Sequence, residues 1–182
     1  VSWGAKIVPV RVLGNGGGTI ADIIDGTLWA GGESISGVPS NPNPAKVINL
    51  SLGGEGPGSA AEEEAFTTLK NKGVVVVVAA GNDNDDAGFF SPANCDNVIT
   101  VGATGPTGER APYSNYGSKI DVMATGGDTS KTIDFNGKQY SAGVWSTLKD
   151  EATGEFFFGA YQGTSMAAPH IAGIVALMLS KD

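Results

Sequence analysis

The run Gly73-Val74-Val75-Val76-Val77-Val78-Ala79-Ala80-Gly81 constrains the fold more than any other stretch of the chain. Consecutive valines are stiff at χ1 and suit extended backbone. No polar residue alternates with them, so neither face of the strand can be wet. Such a strand belongs in a mainly parallel sheet with helices covering both faces. The apolar stretch Val74–Ala80 is far shorter than the roughly 20 residues that cross a bilayer.

The flanking segments supply strands and helices in alternation, the pattern of an α/β domain. Ile7–Leu13 reads as a buried strand ending in Gly14-Asn15-Gly16-Gly17-Gly18. Thr19 with Asp22 opens a helix through Ile20, Ile23, Ile24 and Leu28, which Gly31-Gly32 closes. Lys46–Leu52 reads as the next strand. Ser59 with Glu62 is a capping box for a helix running to Lys72; acidic residues stand near its start and Lys70 and Lys72 near its end, as the helix dipole favours. Val98–Ala103 and Ile120–Ala124 are further strands. Asn136-Gly137 is a hairpin turn signal, and a second turn-like stretch joins Val144–Leu148 to Glu155–Phe158. A helix from about Ser165 carries Ile171, Ile174, Val175 and Met178 and reads as buried nearly all round.

Composition closes off several function classes. A length of 182 residues with 41% apolar content fits one domain with a real core. The net charge of −8 comes without any basic cluster, which argues against nucleic acid or an anionic membrane as partner. One cysteine and one histidine rule out an internal disulfide and a Cys/His zinc site within these residues. The first residues show no signal-peptide pattern, and Leu177–Asp182 stops inside an apolar stretch without a cap. The sequence reads as a piece of something larger.

Ligands of open α/β sheets bind beyond the carboxyl ends of the strands. There Asn82 follows the valine strand, where its carboxamide suits either an oxyanion donor or a turn residue. Ser165 or Thr164 opens the last helix, where free N–H groups and the dipole favour developing negative charge; either could equally be a plain N-cap.

Several stretches taken together resemble the subtilisin-like serine proteases. They are Val47-Ile48-Asn49-Leu50-Ser51-Leu52-Gly53-Gly54, Val76–Asn82, Val98–Ala103, Tyr113-Ser114-Asn115-Tyr116-Gly117 and Gly163-Thr164-Ser165-Met166-Ala167-Ala168-Pro169-His170. The resemblance covers nearly all of 1–182 in the family's order. It implies a partial peptidase domain of subtilisin-like fold, lacking N-terminal strands and the last C-terminal elements. It also implies a secreted endopeptidase with Ser165 as nucleophile and Asn82 as oxyanion donor. Ser51, Leu52 and Gly53 would pair with an extended substrate, Ala79, Ala80 and Gly81 would wall its side-chain pocket, and Gly163 and Thr164 would complete the site. The expected substrate is a protein or peptide, and no cofactor is required.

The family's catalytic aspartate and histidine motifs do not occur here. His170 lies five residues after Ser165, roughly 140° around a helix and 7.5 Å along it, too far round to act as base. The expectation is that an N-terminal portion of the same protease supplies both groups, that this segment alone exposes an apolar sheet edge, and that it is inactive by itself. Cys95 reads as a small buried residue, the other reading being a bond to an absent portion. Asp83-Asn84-Asp85-Asp86 is a solvated acidic loop or a calcium site; calcium is not assignable. The sequon Asn49-Leu50-Ser51 is discounted because its strand is expected to be buried. Phe156-Phe157-Phe158 reads as a strand packing one face, or as a substrate-side aromatic. Two rival functions stay open: a non-catalytic binding or scaffold segment of the same fold, and a nucleotide-binding domain built on Gly14–Gly18. The latter lacks a glycine at Thr19 and an acid at the next strand end.

Overall fold

Val75–Ala79 forms β3 and lies inside a four-stranded parallel sheet, as its composition requires. Around it stand β1 (Val47–Leu50), β5 (Ile99–Thr104) and β6 (Val122–Thr125), in the order β1-β3-β5-β6. A computed structural model describes residues 1–181. Two-residue strands β2 (Gly54–Glu55) and β4 (Phe90–Ser91) pair beside the main sheet and have no periodic signal in the sequence.

The pleat of β3 divides the core in two. Val76 and Val78 point to one face, where they meet Ala30 of α1 (Ile20–Ala30) and Phe66 and Leu69 of α2 (Ala60–Asn71). Val77 and Ala79 point to the other, against Ala167 and Ala168 of α3 (Thr164–Leu179). Helices therefore cover both faces. Burial of β3 on both sides excludes water from its backbone ladder.

Local signals in the sequence are realised closely. Thr19 Oγ1 accepts from the Asp22 N–H at 3.1 Å. Ser59 Oγ accepts from Glu62 N–H at 3.2 Å, and Glu62 Oε2 accepts from Ser59 N–H at 2.7 Å, completing the capping box. Glu62 Oε1 also accepts from Ser91 Oγ at 2.6 Å, tying α2 to β4. Asn136 and Gly137, at φ 55° and 75°, turn the hairpin between β7 (Asp128–Phe135) and β8 (Lys138–Ala142). A second hairpin joins β9 (Val144–Lys149) to β10 (Phe156–Tyr161).

Four expectations need correction. Ile7–Leu13 is not a buried strand: Val8, Val10 and Val12 are half-buried while Ile7, Pro9, Arg11 and Leu13 face solvent. The alternation of a strand is present, but no ladder forms, because a strand exists only beside a partner. The helix α3 is not buried all round, since Ile174, Leu177 and Met178 on its outer flank are exposed. Phe156–Phe158 does not pack a face; all three rings are exposed. Asn49 sits in β1 with an exposed side chain, so burial of the strand is no ground for discounting its sequon. Cys95 is buried, and desolvation, reinforced by the charges of Glu63 and Glu62, pushes its thiol up to about 12.

Between residues 1–13, β1 and the Pro169–Ser180 flank of α3 runs a groove of about 1200 Å³. On that side β1 has no hydrogen-bonded neighbour. The sheet edge foreseen from the sequence is therefore open.

Candidate active site

The carboxyl end of β3 is shaped by one buried amide. Gly81 takes φ +103°, a left-handed conformation that disfavours any side chain, and a Cβ there would overlap the carboxamide of Asn115. Asn115 is fully buried. Its Nδ2 donates to Ala80 O at 3.0 Å, while Oδ1 accepts from Asp83 N–H at 2.8 Å and Asp85 N–H at 3.1 Å. Its own N–H donates to Gly81 O at 3.1 Å. This single side chain is the template on which residues 80–85 fold. The acidic loop beyond is spent on local bonds: Asp86 accepts from Gly88 N–H at 2.8 Å, and Asn84 from Arg110 Nη1 at 2.8 Å. Among the described residues no group of three His, Cys, Asp or Glu side chains is placed to hold a metal ion.

The start of α3 meets this loop. Neither Thr164 nor Ser165 is the N-cap; that position is Gly163, at φ 150° with no capping side chain of its own. The cap comes instead from across the fold. Asn82 Oδ1 accepts from the Thr164 N–H at 2.8 Å and from Thr164 Oγ1 at 3.0 Å. Thr164 Oγ1 in turn accepts from the Gly81 N–H at 3.2 Å. The carboxamide of Asn82 is thus fixed by its oxygen. Its Nδ2 has no protein acceptor among the described residues.

Ser165 follows, half-buried in the first turn of α3, where Met166 and Ala167 N–H reach Gly163 O at 3.0 and 3.2 Å and the Ser165 N–H has no protein acceptor among the described residues. Its Oγ lies 3.4 Å from Ser51 O, and Ser51 Oγ donates to Ser165 O at 2.8 Å. The end of β1 is in this way held against the nucleophile candidate. Leu52 is half-exposed and Gly53 exposed, leaving that backbone accessible; Ala79 and Ala80 are buried at the neighbouring strand end. All ten residues singled out from the sequence, Ser51, Leu52, Gly53, Ala79, Ala80, Gly81, Asn82, Gly163, Thr164 and Ser165, gather at one end of the sheet. His170 does not join them. Its Nδ1 donates to Met166 O at 2.8 Å, one turn back along its own helix.

Sequence reasoning missed the support beneath Gly163. Tyr113 Oη accepts from the Gly163 N–H at 3.0 Å and donates to Gly127 O at 2.8 Å. The same Gly163 N–H reaches Gly126 O at 3.0 Å. Burial raises the Tyr113 hydroxyl above its ordinary pKa of 10.0, and the charge of Asp128 adds to this against the pull of the Gly163 N–H. Tyr113 and Asn115 lie in an aperiodic polar loop, and only the family resemblance drew notice to that loop.

The Subtilase family model matches residues 1–182. An extracellular basic protease of Dichelobacter nodosus is 44% identical over 180 residues, covering 99% of this chain and 28% of the relative. An extracellular protease of Xanthomonas campestris pv. campestris is 46% identical over 181 residues, covering 98% of this chain and 29% of the relative. A solved protease structure from Pseudoalteromonas arctica superposes with a TM-score of 0.90 at 50% identity, covering 98% of this chain and 51% of that one. The chain therefore spans less than a third of these two curated relatives and about half of the solved structure. No helix among the described residues is long and apolar enough to cross a membrane. On the family match, the sequence identity and the shared fold, the chain belongs to the subtilase family.

Proposed function

We propose that residues 1–182 form the nucleophile-bearing part of the catalytic domain of a secreted serine endopeptidase. In this reading Ser165 Oγ gives its proton to a base and attacks the carbonyl carbon of a peptide bond. The C–N bond breaks, the amine half leaves with that proton, and water hydrolyses the remaining acyl-enzyme to free the acid and restore the hydroxyl. Asn82 Nδ2 and the N–H of Ser165 itself stabilise the oxyanion of the tetrahedral intermediate. Ser51–Gly53 offers backbone for pairing with an extended substrate, and Ala79–Gly81 forms a wall of small residues beside it. Secretion rests on relatives named as extracellular proteases.

The observation that carries this reading is the pair of hydrogen bonds that Thr164 N–H and Oγ1 donate to Asn82 Oδ1. A turn residue needs no such restraint. With the oxygen held, the amide cannot flip, and a donor stands ready beside the serine without reorganisation.

A serine hydroxyl needs a base, and the base needs an orienting acid. His170 is the one histidine in residues 1–182, and it is engaged with its own helix. The base and its aspartate are therefore proposed to come from polypeptide outside these residues, and residues 1–182 alone to hydrolyse peptides at background level. In the longer protein, Ser165→Ala is expected to abolish both turnover and labelling by a serine-directed phosphonate. Asn82→Leu is expected to cut turnover about a hundred- to a thousandfold with labelling slowed but present, a magnitude taken from subtilisin itself. Full activity in the Ser165→Ala protein would overturn the assignment.

A further inference from the structure

The two hairpins after β6 carry aromatic rings that neither the core nor the candidate active site uses. Directly opposed residues of an antiparallel pair share a face. Ile133 opposes Tyr140 and Phe135 opposes Lys138 in the first hairpin; Trp145 opposes Ala160 and Thr147 opposes Phe158 in the second. Tyr140 stacks edge-on with Phe135 at 6.5 Å and with Trp145 at 6.3 Å between ring centroids, which joins the two faces. From Trp145 the strip continues diagonally to Phe158 and on to Phe156. The exposures are high for rings of this size: 65% for Phe135, 47% for Trp145, 74% for Phe158 and 78% for Phe156. Scattered apolar residues on a surface need no explanation, whereas a contiguous aromatic strip on protruding hairpins marks a binding surface.

Its position selects the occupant. The strand β10 ends at Tyr161, four residues before Ser165. Between them Gln162 Oε1 accepts from Thr129 N–H at 2.6 Å and Oγ1 at 2.8 Å, which ties the base of the first hairpin to the same turn. Gly163 is bonded to Gly126, just after β6, and Ser165 touches Ser51, just after β1. Because β6 and β1 are the two edges of the sheet, the hairpins and Ser51–Gly53 flank the serine from opposite sides. Other occupants fit less well. The open groove that further chain of this protein would fill lies at the β1 edge, away from the strip. Two copies meeting through identical faces would have to approach against a net charge of −8 on each.

We infer that the Phe135–Tyr140–Trp145–Phe158–Phe156 strip is an exosite for the substrate polypeptide, gripping apolar side chains well beyond the bond that is cut, on the side away from Ser51–Gly53. This rests on the protease reading. At about 3.3 Å per extended residue, Phe158 and Phe156 lie roughly 10 and 17 Å along β10 from Tyr161, so a substrate reaches them with roughly six to eight residues past the cut. Long unfolded chains rich in aromatic or aliphatic residues are favoured, and short peptides gain nothing.

The test uses the full-length protein and the Phe156→Ser/Phe158→Ser pair, exposed positions whose change leaves the core intact. Three substrates share one cleavage sequence: a short chromogenic peptide, a peptide extended by ten residues containing Phe and Leu, and one extended by ten Gly and Ser. The variant is expected to lose about tenfold in kcat/KM on the apolar extension alone. Equal rates on all three substrates in both proteins, or an equal loss on all three, would overturn the exosite. A mass shift between protein and variant in sedimentation would overturn it in favour of a contact between copies. Binding of the apolar peptide to Ser165→Ala protein, followed by tryptophan fluorescence with Trp145→Phe as the control, separates the exosite from the chemistry. Saturable quenching that the double serine variant lacks supports the site even if turnover is absent, and no difference refutes it.

Discussion

Asn82 is held at one end by Thr164. By accepting twice through Oδ1, the carboxamide caps α3 and leaves Nδ2 without a protein acceptor among the described residues, the group proposed above as oxyanion donor. Tyr113 acts one step further back, holding the Gly163 N–H from below. Burial raises its pKa above the ordinary value, which favours the protonated hydroxyl that donates to Gly127 O. Replacing Tyr113 by Phe removes both hydrogen bonds and keeps the ring. The expected cost is about 1 kcal/mol in denaturant unfolding. In the full-length protein a fall in kcat with KM unchanged is also expected, measured well below the melting temperature. An unchanged kcat would mean that Gly126 O alone suffices to seat Gly163.

Among the elements, α2 shows how a short sequence signal reaches into tertiary structure. Burial pushes the Glu62 carboxyl up, but hydrogen bonds from Ser91 and from the N–H and hydroxyl of Ser59 together outweigh it and hold the group below its ordinary 4.5. A depressed folded pKa contributes stability that is full above the unfolded value and lost as pH falls through the folded one. The expected result is an acid-side decline in stability that begins near pH 4.5 and is flatter in Glu62→Gln, read from melts between pH 3 and 7. Ser59→Ala should cost about 1 kcal/mol at neutral pH through loss of the cap. The hairpin of β7 and β8 was equally legible, since Asn136-Gly137 suits the left-handed turn that it adopts. The Ile7–Leu13 segment was not. Its period of two marks an extended chain, and no residue within it states whether a neighbour stands alongside.

At the scale of the whole molecule, a groove of about 1200 Å³ runs beside β1. It leaves the edge of β1 and one flank of α3 open, with Leu177 and Leu179 exposed there. An isolated 182-residue chain is therefore expected to bind a hydrophobic dye strongly and to associate with rising concentration in sedimentation. If further chain of the protein fills the groove, as proposed, the longer protein should do neither. A dye-silent monomer of the short chain would contradict this.

The sequence by itself determined the four strands of the main sheet, their helical cover and the caps of α1 and α2. These depend on side-chain periodicity, φ preferences and bonds between residues a few positions apart, all of which are written locally. It also placed Ser165 and Asn82 at strand and helix ends. Only the tertiary structure decided that Asn82 rather than Thr164 or Ser165 caps α3, that Tyr113 and Asn115 brace the site, and that the Phe156–Phe158 rings face water. Each of these depends on groups from distant parts of the chain meeting or failing to meet, and hydrophobic pattern carries no record of that.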